Sequence, residues 1–226
     1  MKAHTRETQA TMTPQKSLHF LKEGNQRFQN NLKANRNLLE QVNDTSDGQF
    51  PFATILSCID SRVSAELVFD QGLGDIFSVR IAGNFVNDDI LGSMEFACKL
   101  AATKLIVVLG HTSCGAIKGA CDDVKMGNLT KLIEKITPAV HAVKEPKEAS
   151  LRNSKNLDFV DAVSQMHVKL TIDRIHAESP ILSEMEKSGE IMIIGAMYDI
   201  NNGEVIFHEN SIIEAEINNA IQVEMS

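Results

Sequence analysis

Short apolar runs alternate with amphipathic segments from residue 52 onward, and this alternation constrains the fold more than any other feature of the chain. The runs at 52–57, 75–81 and 105–109 have the length of strands, and the third reads Leu-Ile-Val-Val-Leu. Such an unbroken apolar run is typical of a strand that is buried on both faces. Residues 88–103 carry apolar side chains at helical spacing. A strand, a helix and a strand in succession predict a parallel sheet.

The chain has 226 residues, which is long enough for one domain with a substantial core. Residues 13–226 are therefore predicted to form a single α/β domain, with a central mainly parallel sheet, flanking helices and an N-terminal helical arm. Thr13 and Pro14 are typical of a helix start. The apolar side chains that follow make residues 13–34 an amphipathic helix that must lie on another surface. Residues 1–12 are expected to be a flexible, solvated arm.

The second half of the chain predicts further helices and a closing hairpin. The predicted elements are helices at 115–125, 129–144, 156–177 and 180–187 and strands at 190–198 and 205–208. The turn sequence Asn201-Asn202-Gly203 joins the last two strands and indicates a β-hairpin. Residues 145–155 contain a proline and mixed charges and are the best candidate for a linker.

Composition excludes several classes of function. The net charge is -8, and lysine and arginine form no basic stripe, so nucleic acid is not an expected partner. No apolar run approaches the roughly 20 residues of a membrane span. The N-terminal segment lacks the apolar stretch of a secretory signal, which favours a cytoplasmic protein, although a mature periplasmic form would lack it too. Four cysteines are too few for a disulfide scaffold in a chain of this length.

Two short polar motifs follow the predicted strands. Cys58-Ile59-Asp60-Ser61-Arg62 comes after the run at 52–57, and His111-Thr112-Ser113-Cys114 comes after the run at 105–109. Ligands bind at the carboxyl ends of parallel strands, so both motifs lie where a site is expected. His111 and Cys114 are three residues apart at the start of a helix, which lets both side chains reach one point.

Two thiols and one imidazole are ligands that zinc prefers, and they leave a fourth tetrahedral position for water. We therefore predict that Cys58, His111 and Cys114 bind Zn²⁺, one ion per subunit. Asp60 has two possible roles: it accepts a hydrogen bond from the zinc-bound water, or it coordinates zinc and displaces that water. Arg62 is placed to hold Asp60 in a bidentate pair and to decide between these states.

The other cysteines and histidines suit structural roles. Cys98 lies among apolar helix residues and is predicted to be part of the core, and Cys121 is predicted to be an ordinary helix residue. Solvated or hydrogen-bonded roles are expected for His141, His167, His176 and His208. A glycine-rich segment, Gly72-Leu73-Gly74, opens no helix after a strand, so a dinucleotide site is not predicted.

At the two motifs the sequence resembles the β-class carbonic anhydrases. The family pattern is Cys-x-Asp-x-Arg followed by His-x-x-Cys, and both parts are present here. The similarity extends through residues 51–63, 74–84, 93–96 and 105–119, and in outline from about Thr13 to the end of the chain.

The resemblance implies reversible hydration of CO₂ to bicarbonate and a proton, by attack of zinc-bound hydroxide. Cys58, His111 and Cys114 are the implied zinc ligands, and Asp60 with Arg62 is the implied catalytic dyad. Gln49, Phe77 and Gly115 are the implied substrate-binding residues: Gln49 would donate a hydrogen bond, and Phe77 would line the pocket.

The resemblance also indicates which form of the family this is. Members in which the aspartate moves onto zinc have Trp three residues before the first cysteine, whereas this chain has Ile55. Members that stay open commonly have glutamine nine residues before it, and this chain has Gln49. The plant-type, open form is therefore expected. Phe96 stands where plant-type members carry Tyr, so a hydroxyl group is missing at that position.

Members of the family are dimers, or tetramers and octamers of dimers, with active sites at the subunit boundary. The helix at 13–34 is similar to the family's exchanged helix, so a homodimer or a larger dimer-based assembly such as a homotetramer is expected. Two alternatives stay open: a CS₂ or COS hydrolase on the same scaffold, and a structural or redox-regulatory zinc protein. Asp60 and Arg62 distinguish the last one, since a closed structural site has no use for such a pair.

Overall fold

A computed structural model describes residues 2–208 and places a five-stranded sheet at the centre of the protein. The strands run in the order β2-β1-β3-β4-β5; the first four are parallel and β5 is antiparallel to β4. Their bounds are β1 Ala53–Ser57, β2 Ile76–Arg80, β3 Leu105–His111, β4 Met192–Tyr198 and β5 Val205–Phe207. The predicted α/β class, its mainly parallel sheet and the closing hairpin are confirmed.

Helices connect and cover the strands. They are α1 Arg6–Ala10, α2 Pro14–Gln29, α3 Leu38–Asp44, α4 Ala65–Val68, α5 Asp88–Glu95, α6 Gly115–Cys121, α7 Gly127–Ala142, α8 Leu157–Glu178 and α9 Pro180–Lys187, with a π-helical turn at Phe96–Leu100 and a 3₁₀ turn at Ala149–Leu151. None of the helices within residues 2–208 is long and apolar enough to cross a membrane. The segment predicted as a linker is instead tied to the domain, because the Arg152 guanidinium donates to the carbonyls of Val140, Val143 and Pro146.

Strand β3 divides the core into two layers. All of its residues are buried, and successive side chains of a strand point to opposite faces of the sheet. Leu105, Val107 and Leu109 pack in one cluster with Phe52 and Phe69. Ile106 and Val108 pack in a second cluster on the other face, with helices α5, α8 and α9. The apolar run that predicted a strand buried on both faces therefore corresponds to the centre of the sheet.

Helix α2 packs against its own chain. Leu21 is fully buried in the first core layer. The Asn25 carboxamide donates to the carbonyls of Val68 and Gly203 and accepts from the N–H of Val205. The apolar face of α2 is thus covered by residues of the same chain. The exchange of this helix between two subunits stays a prediction, since these contacts form without it.

The N-terminal segment also packs on the domain, in contrast to the solvated arm expected for residues 1–12. Helix α1 is capped by Thr5, and Gln9 is buried. The Gln9 side-chain amide donates to the carbonyl oxygens of Pro51 at 2.7 Å and Ala101 at 2.8 Å. Gln9 thus ties this segment to the domain, because one polar side chain satisfies two carbonyl groups beside β1 and β3, while flexibility of residues 1–12 stays a prediction.

Two helical glycines allow a matched test of the packing of α2. A Cβ atom at Gly24 would lie 1.8 Å from the carbonyl oxygen of Phe69, whereas a Cβ atom at Gly92 in α5 meets nothing within 4 Å. Gly24→Ala should lower the free energy of unfolding by about 1–3 kcal/mol or more, as for other overpacked sites. Gly92→Ala should raise it by about 0.5–1 kcal/mol, through helix propensity. Urea denaturation measures both, and equal shifts would contradict the close approach of α2.

Candidate metal centre

The candidate metal centre lies at the carboxyl ends of two adjacent strands. Cys58 directly follows β1, and His111 is the last residue of β3. Ser57 is in register with Leu109, so the chain leaves β1 beside the end of β3. Cys114 is the N-cap residue of α6. The two motifs that are far apart in the sequence therefore meet at one edge of the sheet, as predicted.

The three donor atoms converge on one point. One ligand atom from each of Cys58, His111 and Cys114 lies within 4.8 Å of the others, and all three residues are buried. The two sulfur atoms are 3.9 Å apart, close to the separation of about 3.8 Å that follows from Zn–S bonds of 2.3 Å at a tetrahedral angle. The donor set and its spacing fit a zinc ion.

The orientation of His111 supports the same conclusion. Its Nδ1 atom lies 2.9 Å from the carbonyl oxygen of Thr112, which favours a proton on Nδ1 and leaves Nε2 as an acceptor. Nε2 is buried and has no hydrogen-bond partner among the described residues. A buried acceptor without a partner is costly, and a cation bound between it and the two sulfur atoms removes that cost.

The two thiols share one hydrogen bond, in which either sulfur atom can hold the proton. The pKa of the Cys58 thiol is lowered to about 4, chiefly by its hydrogen bond with Cys114, and also by His111 and the backbone N–H of Gly83. The pKa of Cys114 is raised by the same pairing and by burial. Since metal ligation needs deprotonated thiols, binding of a divalent cation would release this proton.

Asp60 and Arg62 form a bidentate pair beside the three donors. Arg62 Nε lies 2.9 Å from Asp60 Oδ1, and Arg62 Nη2 lies 2.7 Å from Asp60 Oδ2. The Arg62 hydrogen bonds hold the pKa of Asp60 well below its ordinary value, so the carboxylate is ionised. Asp60 Oδ2 is also 4.0 Å from His111 Nε2. The carboxylate thus faces the centre while its position is fixed by the guanidinium.

The predicted substrate-binding residues are not all brought together within one chain. Gly115 lies at the first position of α6, next to Cys114, and is exposed. Phe77, in contrast, is in register with Thr54 near the amino end of β1, roughly 13 Å along the strand from Cys58. Gln49 is exposed and precedes β1. Gln49 and Phe77 therefore lie at the opposite edge of the sheet from the metal centre.

Several residues of the centre were not predicted from the sequence as site residues. Gly83 donates its backbone N–H to Cys58 Sγ at 3.4 Å. Arg80 donates to the carbonyls of Cys58 and Asp60 and so holds the first motif in place. Both belong to the segment 79–84 that carried the family resemblance, and this resemblance was the available signal. Cys98 is buried in the second core layer, as predicted.

Comparison with known proteins agrees with this geometry. Residues 53–205 match the family model described as carbonic anhydrase. Carbonic anhydrase 2 of Mycobacterium tuberculosis is 36% identical over 196 residues, which cover 84% of this chain and 90% of that protein. The carbonic anhydrase of Mycolicibacterium smegmatis is 34% identical over 82% of this chain and 88% of that protein.

Solved structures give the same result for the fold. The β-carbonic anhydrase CcaA superposes with a TM-score of 0.64 at 25% identity, over 86% of this chain and 96% of that one. By its sequence, its fold and the convergence of the two motifs, the chain belongs to the β-carbonic anhydrase family.

Proposed function

We propose that the protein catalyses the reversible hydration of CO₂ to bicarbonate and a proton, with one Zn²⁺ per subunit. The observation that carries this proposal is the convergence of two thiols and an imidazole nitrogen that has no hydrogen-bond partner in the described part of the chain, beside a fixed carboxylate. Membership of the carbonic anhydrase family supports it independently.

Cys58, His111 and Cys114 would hold the zinc. The bound ion lowers the pKa of a water molecule and so supplies hydroxide near neutral pH. Two thiolates would cancel the formal charge of the ion. The pKa of the water in the fourth position would therefore depend more on neighbouring groups than at a site with three imidazoles. Asp60 lies beside the three donors, with Oδ2 4.0 Å from His111 Nε2.

Asp60 would orient the reacting hydroxyl group. Each carboxylate oxygen has two lone pairs, and the two bonds from the Arg62 side chain leave acceptor capacity free. A hydroxyl group that donates a hydrogen bond to Asp60 would turn a lone pair toward CO₂. Arg62 keeps the carboxylate ionised, so that Asp60 accepts this hydrogen bond and does not compete for it as an acid.

The Asp60–Arg62 pair also favours the open form over the closed one. The structure has both carboxylate oxygens engaged by Arg62, and Asp60 is not part of the three-donor group. Ile55, at the position where closed members of the family have Trp, is fully buried in β1. The same pair disfavours a purely structural or redox zinc site, in which a carboxylate beside an open position would have no role.

We further propose that the complete active site needs two subunits. Residue 52, which begins the pairing of β1 with β2, is six residues or roughly 20 Å of extended chain from Cys58. The three peptide units from Gln49 to Phe52 span at most about 10 Å. The Cα atom of Gln49 thus lies about 10 Å or more from that of Cys58, and we expect Gln49 and Phe77 to contact substrate in the partner subunit of a dimer.

Stoichiometric zinc and CO₂ hydration are the first expected outcome. The purified protein should contain one zinc per chain and accelerate CO₂ hydration near neutral pH, and prolonged treatment with a strong chelator should remove both. Metal analysis and stopped-flow kinetics on the same sample measure this. Full zinc without hydration activity, even at alkaline pH, would contradict the proposed substrate.

Replacement of the carboxylate separates its role from metal binding. Asp60→Asn should lower kcat by about 100-fold or more, because the amide presents a donor or a weaker acceptor to the hydroxyl group, while zinc content stays at one per chain. Glu66→Gln is a control, since the Glu66 carboxylate accepts hydrogen bonds from the hydroxyl groups of Ser64 and Ser78 and not from a residue of the metal centre. Unchanged kinetics for Asp60→Asn would remove Asp60 from the mechanism.

Mixed dimers test the contribution of the second subunit. His111→Ala should abolish zinc binding and activity, and Gln49→Ala should lower activity while zinc is retained. In a co-expressed heterodimer the intact metal centre of the Gln49→Ala chain would face the intact Gln49 of the other chain. We expect purified heterodimers to recover about half of the wild-type activity; activity no higher than the mean of the two variants would contradict action between subunits.

A further inference from the structure

Helix α8 presents polar side chains to the metal centre along one stripe. Asp161, Ser164 and His167 follow one another at steps of three residues, and residues three apart are neighbours on a helix surface. Each bonds the backbone of a different residue: two in the turn 111–114 and one at Gly83. Asp161 Oδ1 accepts from the Ser113 N–H at 2.9 Å, Ser164 Oγ donates to the His111 carbonyl at 3.2 Å, and His167 Nε2 lies 2.7 Å from the Gly83 carbonyl oxygen.

The helix can approach the sheet this closely because of a glycine. A Cβ atom at Gly110 would lie 2.7 Å from Val168 Cγ2 and 3.4 Å from Ser164 Oγ. Gly110 immediately precedes His111 on β3. The absence of a side chain there lets α8 lie against the end of the strand, where Ser164 reaches the carbonyl of the histidine.

Asp161 acts on a strained turn. Ser113 has a φ angle of +54°, in the left-handed region that costs a non-glycine residue of the order of 1 kcal/mol. This residue lies between His111 and Cys114, and its conformation sets the direction in which the chain leaves β3 and enters α6. The charge-assisted hydrogen bond from its N–H to Asp161 holds the turn in that conformation.

His167 acts on the segment that contacts the Cys58 sulfur. Gly83 donates its N–H to Cys58 Sγ and accepts from His167 through its carbonyl oxygen. His167 is buried, and burial lowers its pKa, so the ring is neutral and donates from Nε2. The contact fixes the tautomer of His167 and the position of the Gly83 backbone together.

We propose that Asp161, Ser164 and His167 are positioning residues, through which α8 holds two backbone segments of the metal centre, the turn 111–114 and the segment at Gly83, in register for zinc. The proposal rests on the zinc site of the proposed function and adds the residues that hold the backbone around its ligands. Partners of metal ligands at this distance typically change metal affinity or activity by about 10–100-fold when they are removed.

The rate of zinc release tests the proposal. Zinc-loaded protein is mixed with a chromophoric chelator well below its unfolding temperature, and the cobalt-substituted protein gives a visible spectrum that reports ligand geometry. Asp161→Ala should release zinc about 10-fold faster and alter the cobalt spectrum. Asp161→Asn keeps an acceptor oxygen and should stay within about threefold of the wild type. Gln165→Ala, on the exposed side of α8, is the control.

A second pair of variants, at His167, tests the proposal independently of Asp161. His167→Leu removes the donor to Gly83 and should also accelerate zinc release about 10-fold, whereas His167→Gln retains an N–H donor and should restore a slow rate. If Asp161→Ala and His167→Leu release zinc at the wild-type rate with an unchanged cobalt spectrum, or if the conservative variants release it as fast as the disruptive ones, positioning by α8 is refuted. Wild-type protein without stoichiometric zinc would instead overturn the zinc site itself, and this proposal with it.

Discussion

The burial of β3 on both faces is the constraint on which the rest of the structure depends. A central strand without a polar face must be covered by apolar layers on each side, and this requires helices from both halves of the chain. The same strand is hydrogen-bonded to β1 on one side and β4 on the other. Its last residue is His111, so the packing that fixes β3 also fixes the imidazole of the metal centre.

Burial of the carboxyl end of β3 affects the chemistry of the metal centre. Cys114 and His111 are both fully buried, and a buried polar atom needs a partner. The backbone satisfies the Nδ1 atom of His111 through Thr112, while Nε2 has no hydrogen-bond partner within residues 2–208 and faces the two sulfur atoms. The fold thus leaves a set of donors whose full satisfaction requires a cation, and it sets the carboxylate of Asp60 next to them with its own counterion already bound.

The sequence predicted the elements that depend on local patterns and missed those that depend on single distant contacts. The apolar run of β3, the cap of α2 and the hairpin turn at Asn201 follow from residue types and spacing, and the structure confirms them. Gln9 was misread because its burial depends on two carbonyls, at Pro51 and Ala101, that no local pattern brings near it. The two metal motifs were found because each follows a strand, and parallel strands end at a common edge.

The parts of the site that could not be predicted from the residues alone are those held by the backbone. Gly83 contacts Cys58 through its N–H, and an N–H donor carries no sequence signature. This contact matters chemically, because a hydrogen bond to a thiolate withdraws electron density from the sulfur. If two thiolates hold a zinc ion, each such withdrawal would leave more positive charge on the ion to acidify water. The glycine is required there for space as well, since a Cβ atom would lie 2.5 Å from Ile136 Cδ1. Gly83 thus packs against α7 at its Cα atom and donates its N–H to the cysteine sulfur. One small residue therefore contributes both to the fold and to the chemistry of the centre.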